Sequence, residues 1–433
     1  MNNALVCELF DRIDSLPIID VHTHVAWKTG CAANIGDILS YHYYTELTNS
    51  ASYQEGKFPF GDPEALTEQI LPKLGLIRNT VQYDWLMTIS REYLGLEADE
   101  WRPENWRFIF DRSVEVMNRP EWRDELIAQA GIAKVFLTNQ YDDDLEGLDT
   151  SFYAPCLRTE PFVVWFGQSA ERAKLSAFLG RPIDTIADFR EAIDKTFAKF
   201  VRHGMGYAAM SIPAGFRTFP VTEADAQRVL DKAVAGGAWD SGEASLWGAF
   251  AMNCLADACR KYAKPFHLMI GVNRDVYAQG VPGGQDLFDS VNSMRGYDYL
   301  LNAYPDVRFP TAVLADTTGL ELTAAAWIRH NVYPSGHWWY SNQPTDIARE
   351  IRRRIDAVPG NKLIGYFSDA YYLEFILPKF RMYKFELASA LAERMERSLV
   401  HPNMELFGLD DAMALAEDML INNPVRILGI EGL

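Results

Sequence analysis

The chain has 433 residues, and its 41 basic against 59 acidic side chains give a formal net charge of −18. This acidic balance argues against binding to nucleic acid or to an anionic membrane surface. The hydrophobic fraction of 48% suits a globular protein, and no apolar run approaches the ~18–20 residues of a membrane span. With five scattered cysteines and no evident signal peptide, we expect a cytoplasmic protein with reduced thiols.

Eight short apolar runs rich in β-branched and aromatic residues follow one another along the chain. They cover residues 17–25, 133–140, 161–167, 206–213, 264–272, 308–315, 334–340 and 361–369. Continuous rather than alternating hydrophobicity is typical of parallel strands that are covered on both faces. Amphipathic segments lie between the runs, and one of them begins at Thr222 and ends at a glycine pair, as helix capping requires. The pattern predicts an α/β fold, a (β/α)8 barrel over residues 1–433, with a doubly wound sheet as the alternative.

The segment 26–132, between the first two runs, is much longer than one loop and one helix require. It contains helical patterns such as YDWLMTISREYLGL and PENWRFIFDRSVEVM. We therefore expect a helical insertion over the mouth of the barrel rather than a second domain.

Two histidines at the end of the first predicted strand indicate a metal site. His22 and His24 lie two residues apart in PIIDVHTHV, so their side chains share one face of a strand. The C-terminal ends of barrel strands face the active-site mouth, where neutral imidazoles are common ligands of zinc and similar ions. Asp369 ends the last predicted strand, which is the neighbour of the first in a closed barrel, so its carboxylate can complete the site or accept a proton. The alternative role of Asp369 is a helix N-cap.

The predicted fourth strand contains no Lys or Glu that could bridge two metals. The pattern therefore favours one divalent ion, with zinc as the expected element, held by His22, His24 and Asp369. His267, on the predicted fifth strand, is a further candidate ligand or acid–base residue, and a hydrogen-bonded core histidine is the alternative. His42 lies among tyrosines in SYHYYTEL, where contact with a polar ligand and simple packing both remain open.

These motifs, in this order, resemble the uronate isomerase branch of the amidohydrolase superfamily, which consists of metal-dependent (β/α)8-barrel enzymes. LPIIDVHTHV is similar to the family's strand-one metal motif, SYHYYTEL to its His-Tyr segment, IGVNRDV to its strand-five turn, SGHWWYSNQ to its double-tryptophan motif and GYFSDAYYLEFILPKF to its strand-eight segment. The resemblance implies a small-molecule carbohydrate substrate and association into a homo-oligomer. The candidate catalytic residues are Asp369, His42 and His267, and the candidate substrate-binding residues are Tyr43, Arg274, Trp338, Trp339, Tyr371 and Arg381.

The sequence departs from the family pattern at positions that bear on the substrate. Tyr371 stands where the family has an arginine after strand eight, and Phe166 falls where it has another after strand three. Arginine is the preferred partner of carboxylates. We therefore predict that a neutral or differently charged substrate is used better than glucuronate or galacturonate, with Arg274 and Arg381 as possible replacements.

Three functions remain open from the sequence. The first is aldose–ketose isomerisation of a sugar acid or related carbohydrate, with His42 or Asp369 carrying the proton between adjacent carbons. The second is hydrolysis of an amide, ester or lactone, with Asp369 as general base and His267 orienting the substrate. The third is a metal- or sugar-binding protein without turnover.

Overall fold

Parallel strands form the framework of the structure, a computed structural model that describes residues 3–430. The strands are Ile18–Asp20 (β1), Ile132–Phe136 (β2), Tyr153–Ala154 (β3), Leu157–Arg158 (β4), Ala208–Pro213 (β5), Phe266–Asn273 (β6), Leu287–Phe288 (β7), Phe309–Val313 (β8) and Val332–Pro334 (β9). Parallel pairing runs through β1–β2–β3 and through β4–β5–β6–β8–β9, while β7 pairs antiparallel with β6.

Isolated bridges extend these two sheets toward a ring. Asn139 pairs with Leu157, which joins the chain after β2 to β4, so that β3 and β4 together occupy the third strand position. Ser335 pairs with Ile364, which places residues 364–369 beside β9 as the eighth position.

The ring closes between the first and the eighth positions. The Asp369 amide donates to the His22 carbonyl (3.1 Å), and the His24 amide donates to the Ala370 carbonyl (2.8 Å). Eight strand positions with helices between them are the architecture of a (β/α)8 barrel, so the predicted α/β fold class is confirmed.

Helices follow most strands and cover the outside of the barrel. The α-helices are Asn3–Asp14 (α1), Ile35–Leu39 (α2), His42–Ala51 (α3), Pro63–Ile70 (α4), Val81–Ile89 (α5), Trp106–Met117 (α6), Trp122–Ala130 (α7), Glu160–Val163 (α8), Ser169–Leu179 (α9), Ile186–Arg202 (α10), Glu223–Val234 (α11), Ser241–Lys261 (α12), Asp298–Ala303 (α13), Asp316–Ile328 (α14), Pro344–Ala357 (α15), Ile376–Val400 (α16), Leu409–Glu417 (α17) and Asn423–Leu428 (α18). Segment 26–132, all of it described, contains α2–α7, and its last residue, Ile132, is the first residue of β2. As the capping pattern predicts, the Thr222 hydroxyl accepts the Asp225 amide (3.1 Å) at the start of α11, and Gly236 follows its end with φ +84°.

Several predicted strands lie elsewhere or are shorter than expected. The first is only Ile18–Asp20, and the seventh, expected at 334–340, is Val332–Pro334. Residues 161–167 begin within α8, and the third strand position lies earlier, at 153–158. Pro161 is at the first turn of α8, where its missing N–H is tolerated, whereas an interior strand needs that donor. Residues 361–369 contribute the bridge at Ile364 rather than a regular strand. A continuous apolar run alone does not distinguish a buried strand from a buried helix.

The core fills the barrel and the layer between the barrel and its helices. Residues 266–272 of β6 are all buried, as expected for a strand inside a barrel. The long helix α16 packs against α1 and α15 and buries most of its first four turns. Within residues 3–430, no helix has both the length and the apolar character needed to cross a membrane.

Candidate active site

The three predicted metal ligands converge where the first and eighth strand positions meet. Nε2 of His24 lies 3.2 Å, and Nε2 of His22 lies 3.5 Å, from Oδ1 of Asp369. One ligand atom from each residue lies within 4.8 Å of the others. His22 and Asp369 are buried and His24 is partly exposed, so the group is accessible from one side. This arrangement fits a single divalent cation with an open coordination position.

A tyrosine behind His22 determines which of its ring nitrogens carries the proton. The Tyr207 hydroxyl donates to the Val21 carbonyl (2.7 Å), and Nδ1 of His22 lies 3.0 Å from the same hydroxyl oxygen. Because the single hydroxyl proton is already used, His22 donates from Nδ1 and its Nε2 keeps a lone pair. Burial lowers the pKa of His22 to about 3, which keeps the ring neutral near pH 7. The Nε2 lone pair therefore faces Asp369, as metal ligation requires.

Asp369 supplies an acceptor that lacks a partner. Its Oδ1 is buried and has no well-formed hydrogen bond from any residue that the structure describes. Burial acts to raise the pKa of Asp369, but His24 and Lys379 outweigh that effect and hold the pKa well below its ordinary value. An ionised oxygen and a nitrogen lone pair 3.5 Å apart call for a positive group between them. The residues present therefore fit a divalent ion such as zinc.

A buried polar network holds Asp369 in an unusual backbone conformation. Its φ of +55° lies in the left-handed region, which costs a non-glycine residue roughly 1–3 kcal/mol. The Tyr41 hydroxyl donates to the Asp369 carbonyl (2.8 Å), and the Lys379 ammonium donates to the Tyr41 oxygen (3.1 Å) and to the Ser368 carbonyl (2.8 Å). Asp20, the last residue of β1, accepts the Ser368 amide (2.9 Å). The network fixes the direction in which the Asp369 side chain leaves the barrel.

A cavity of about 320 Å³ has the three ligands in its wall. Its lining residues are His22, His24, His42, Thr138, Arg158, Glu160, Ala209, Ser211, Met269, Arg274, Gly283, Trp338, Trp339, Asp369 and Tyr371. Aromatic faces, two guanidinium groups and several hydroxyl groups share this wall. Such a volume and such a mixture suit a small polar molecule with some apolar surface.

Five predicted residues outside the metal group line the cavity: His42, Arg274, Trp338, Trp339 and Tyr371. His42 is the first residue of α3, and its Nε2 is buried without a hydrogen-bond partner among residues 3–430. Burial lowers the pKa of His42 to about 3, so the ring is neutral near pH 7. Arg274 is ion-paired with Asp286, and Tyr371 stacks on His24 with ring centroids 4.9 Å apart.

Two further candidates lie behind the wall rather than in it. His267 is buried beneath His22, with ring centroids 5.8 Å apart, and it is not part of the ligand group. Burial holds the pKa of His267 well below its ordinary value, which favours a neutral core histidine. Tyr43 packs against Tyr41 and Trp85.

Two other expected residues are remote from the cavity. Arg381 forms ion pairs with Asp14 (3.2 Å) and Glu92 (2.7 Å), because α16 directs this side chain toward α1 and the insertion. Phe166 is fully buried in the outer layer, where it stacks on Trp247 with ring centroids 4.5 Å apart. The structure therefore brings neither Arg381 nor Phe166 to the site.

Sequence reasoning missed two charged residues in the wall. Arg158 and Glu160 line the cavity, and Nη2 of Arg158 lies 3.0 Å from Oε1 of Glu160. Both belong to LRTEPF, at the end of the third strand position. The signal was present, because a strand at 153–158 places Arg158 and Glu160 at the mouth, where barrel enzymes carry their functional residues.

No family model matches the chain, but curated proteins and solved structures similar to it are found. It is 24% identical over 398 residues to the uronate isomerase of Corynebacterium efficiens, covering 83% of each chain. Its structure superposes on the uronate isomerase of Thermotoga maritima with a TM-score of 0.88 at 18% identity, covering 98% of this chain and 97% of that one. For the glucuronate isomerase of Caulobacter crescentus the TM-score is 0.88 at 16% identity, covering 99% and 95%. In sequence the chain is therefore similar to uronate isomerases at low identity, and the solved structures show that it shares their fold.

Proposed function

We propose that the chain is an aldose–ketose isomerase of a sugar acid, with one zinc ion held by His22, His24 and Asp369. The observation that carries this proposal is the convergence of the metal-ligating group and the unpartnered His42 nitrogen on one cavity. The likeness to uronate isomerases over most of the chain supports the same class of reaction.

The proposed reaction moves a carbonyl group between two adjacent carbons of an open-chain sugar. A divalent ion, when bound, supplies Lewis-acid polarisation of the carbonyl and hydroxyl oxygens. We assign the proton transfer to Nε2 of His42, which takes the proton from the carbon next to the carbonyl and returns it to the former carbonyl carbon. The hydroxyl proton passes from one oxygen to the other, so substrate and product have the same atoms. Asp369, whose pKa lies well below its ordinary value, serves as a ligand.

The rest of the wall is assigned to substrate binding. Trp338, Trp339 and Tyr371 offer aromatic faces against which the C–H face of a sugar can pack. Arg274 donates to the Ser211 hydroxyl (2.9 Å) and lies 5.9 Å from the centre of the Trp339 ring, so it supplies N–H donors at the rim.

The test is NMR in D2O of the zinc-loaded protein with D-glucuronate, D-galacturonate and neutral aldoses. Isomerisation should convert aldose to ketose and place deuterium on the carbon that receives the proton. His42→Gln should remove turnover, whereas His401→Gln, which changes an exposed histidine, should not. Uptake of ¹⁸O from solvent on cleavage of an amide, ester or lactone would favour the hydrolase alternative. Binding without either change would favour the non-catalytic alternative.

The same substrate series tests the preference for neutral over acidic sugars that Tyr371 suggests. Tyr371 lines the cavity at the position of the missing arginine, but Phe166 does not, so only one of the two departures affects the wall. Because the similar proteins are uronate isomerases, we propose a sugar acid as the substrate. Faster turnover of neutral aldoses would restore the preference inferred from the sequence.

A further inference from the structure

We propose that Glu160 is a substrate-binding residue that accepts a hydrogen bond from a hydroxyl group of the substrate. The inference rests on the proposed function, because it identifies the chemical group that one part of the cavity wall binds. Glu160 begins α8 directly after the third strand position and lines the cavity.

The carboxylate of Glu160 has one satisfied and one unsatisfied oxygen. Its side chain is only 6% exposed. Oε1 accepts hydrogen bonds from Nη2 of Arg158 (3.0 Å) and from the Ser211 amide (3.3 Å). Oε2 is buried and has no partner in the part of the chain that the structure describes. An unpaired buried carboxylate oxygen is unfavourable, so an acceptor at a cavity wall indicates a donor that arrives with the ligand.

The neighbours of Glu160 determine which ligand group fits. The Arg158 guanidinium has five N–H donors, of which Glu160 accepts one. A hydroxyl group both donates and accepts, so it can donate to Glu160 while it accepts from Arg158. A substrate carboxylate can only accept, and it would be repelled by the negative charge of Glu160.

Charge balance in the wall supports the same conclusion. Each cavity arginine already has a carboxylate partner, Arg158 with Glu160 and Arg274 with Asp286. Ser211 connects the two pairs, because its amide donates to Glu160 while its hydroxyl accepts from Arg274. The Arg158–Glu160 pair is thus a neutral unit suited to a hydroxyl, and the carboxylate of a sugar acid lies elsewhere in the cavity.

The experiment compares the zinc-loaded wild type with Glu160→Gln. Glutamine keeps the size of the side chain but removes its charge and replaces one acceptor oxygen by a donor. Binding by calorimetry and turnover are measured with D-glucuronate and with analogues that each lack one hydroxyl group. In the wild type, one analogue should bind about 10- to 100-fold more weakly than the parent sugar. In Glu160→Gln, the parent should be weakened to a similar degree, and that analogue should lose little more.

A matched variant and a second substitution separate this role from a structural one. Glu374→Gln neutralises another buried carboxylate, one that does not line the cavity, and should leave the preference for the hydroxyl unchanged. If Glu160→Gln does not fold, Glu160→Asp, which withdraws the carboxylate by one methylene, is measured in the same way. Equal weakening of every sugar, or unchanged affinity for the parent, would overturn the proposal and leave Glu160 as a support for Arg158.

The same measurements distinguish failure of the proposed function from failure of the role of Glu160. If the wild type binds the sugars with the expected hydroxyl dependence but does not isomerise them, the isomerase assignment is wrong and the role of Glu160 stands. If the wild type isomerises D-glucuronate but Glu160→Gln retains the hydroxyl preference, the role of Glu160 is wrong and the isomerase assignment stands. A wild type that binds no sugar of the series overturns both.

Discussion

Tyr207→Phe should weaken metal binding without touching any ligand atom. The substitution removes the hydroxyl that accepts from Nδ1 of His22 (3.0 Å) and donates to the Val21 carbonyl (2.7 Å). Without that oxygen, the buried Nδ1–H has no partner, and the ring gains from moving its proton to Nε2. A proton on Nε2 occupies the lone pair that the metal needs.

The magnitude follows from the bond that is lost. A buried donor left unpaired costs about 1–3 kcal/mol, and about 1.4 kcal/mol corresponds to a tenfold change in an equilibrium constant. Removal of partners behind a metal ligand lowers metal affinity by about 10- to 100-fold in general. The cost of the unpaired donor and the general effect of such partners give similar estimates. We therefore expect zinc affinity to fall by about one to two orders of magnitude.

The assay is competition for zinc with a chelator of known affinity, together with unfolding of the metal-free proteins. Tyr383→Phe is the matched control, because Tyr383 is also fully buried and its hydroxyl has no partner among the described residues. Its zinc affinity should equal that of the wild type. Unchanged affinity in a folded Tyr207→Phe protein would refute the assignment of the proton to Nδ1 of His22.

Three other outcomes are expected. Elemental analysis should find one divalent ion per chain in the zinc-supplemented wild type and none in His22→Ala, and two ions in the wild type would contradict the mononuclear site. Asp369→Asn should lose turnover far more than stability, because asparagine carries no charge, and an active variant would contradict a role of the Asp369 carboxylate in the reaction. Burial raises the pKa of Glu374 from 4.5 to about 7, so between these values the folded state holds a proton that the unfolded state releases, and stability falls as pH rises. Relative to the wild type, Glu374→Gln should therefore gain up to about 1.4 kcal/mol per pH unit across this window, measured by urea unfolding, and a pH-independent difference would contradict it.

The convergence of His22, His24 and Asp369 could be predicted because it depends on features that sequence patterns carry well. His22 and His24 share a face through the two-residue period of an extended chain. Closure of the barrel then brings Asp369 to them, although it is far away in sequence. This prediction needs only the order of the strands and the fact that the C-terminal strand ends face the mouth of the barrel. Neither depends on accurate strand boundaries.

The polar side of the cavity could not be predicted because it depends on one short strand. The third position has four paired residues in β3 and β4, and the apolar run that follows it is the beginning of a helix. Because the third strand was expected at 161–167 instead of 153–158, the sequence pointed to Phe166 at the end of this strand and missed Arg158 and Glu160. The direction of Arg381 was equally hidden, since it depends on the ion pairs that α16 makes with Asp14 and Glu92.

Several features that oppose folding lie around Asp369, at the C-terminal ends of the barrel strands. They determine how much a bound cation can stabilise the protein. Asp369 has a left-handed backbone and an unpaired carboxylate oxygen, and Lys379 is fully buried, so that burial lowers its pKa to about 8. Strain and an unpaired polar group each oppose folding by roughly 1–3 kcal/mol. A cation that binds only the folded chain offsets such terms, and its effect grows with the logarithm of its concentration. The midpoint of thermal unfolding should therefore rise with zinc concentration in the wild type, and it should not do so in His22→Ala.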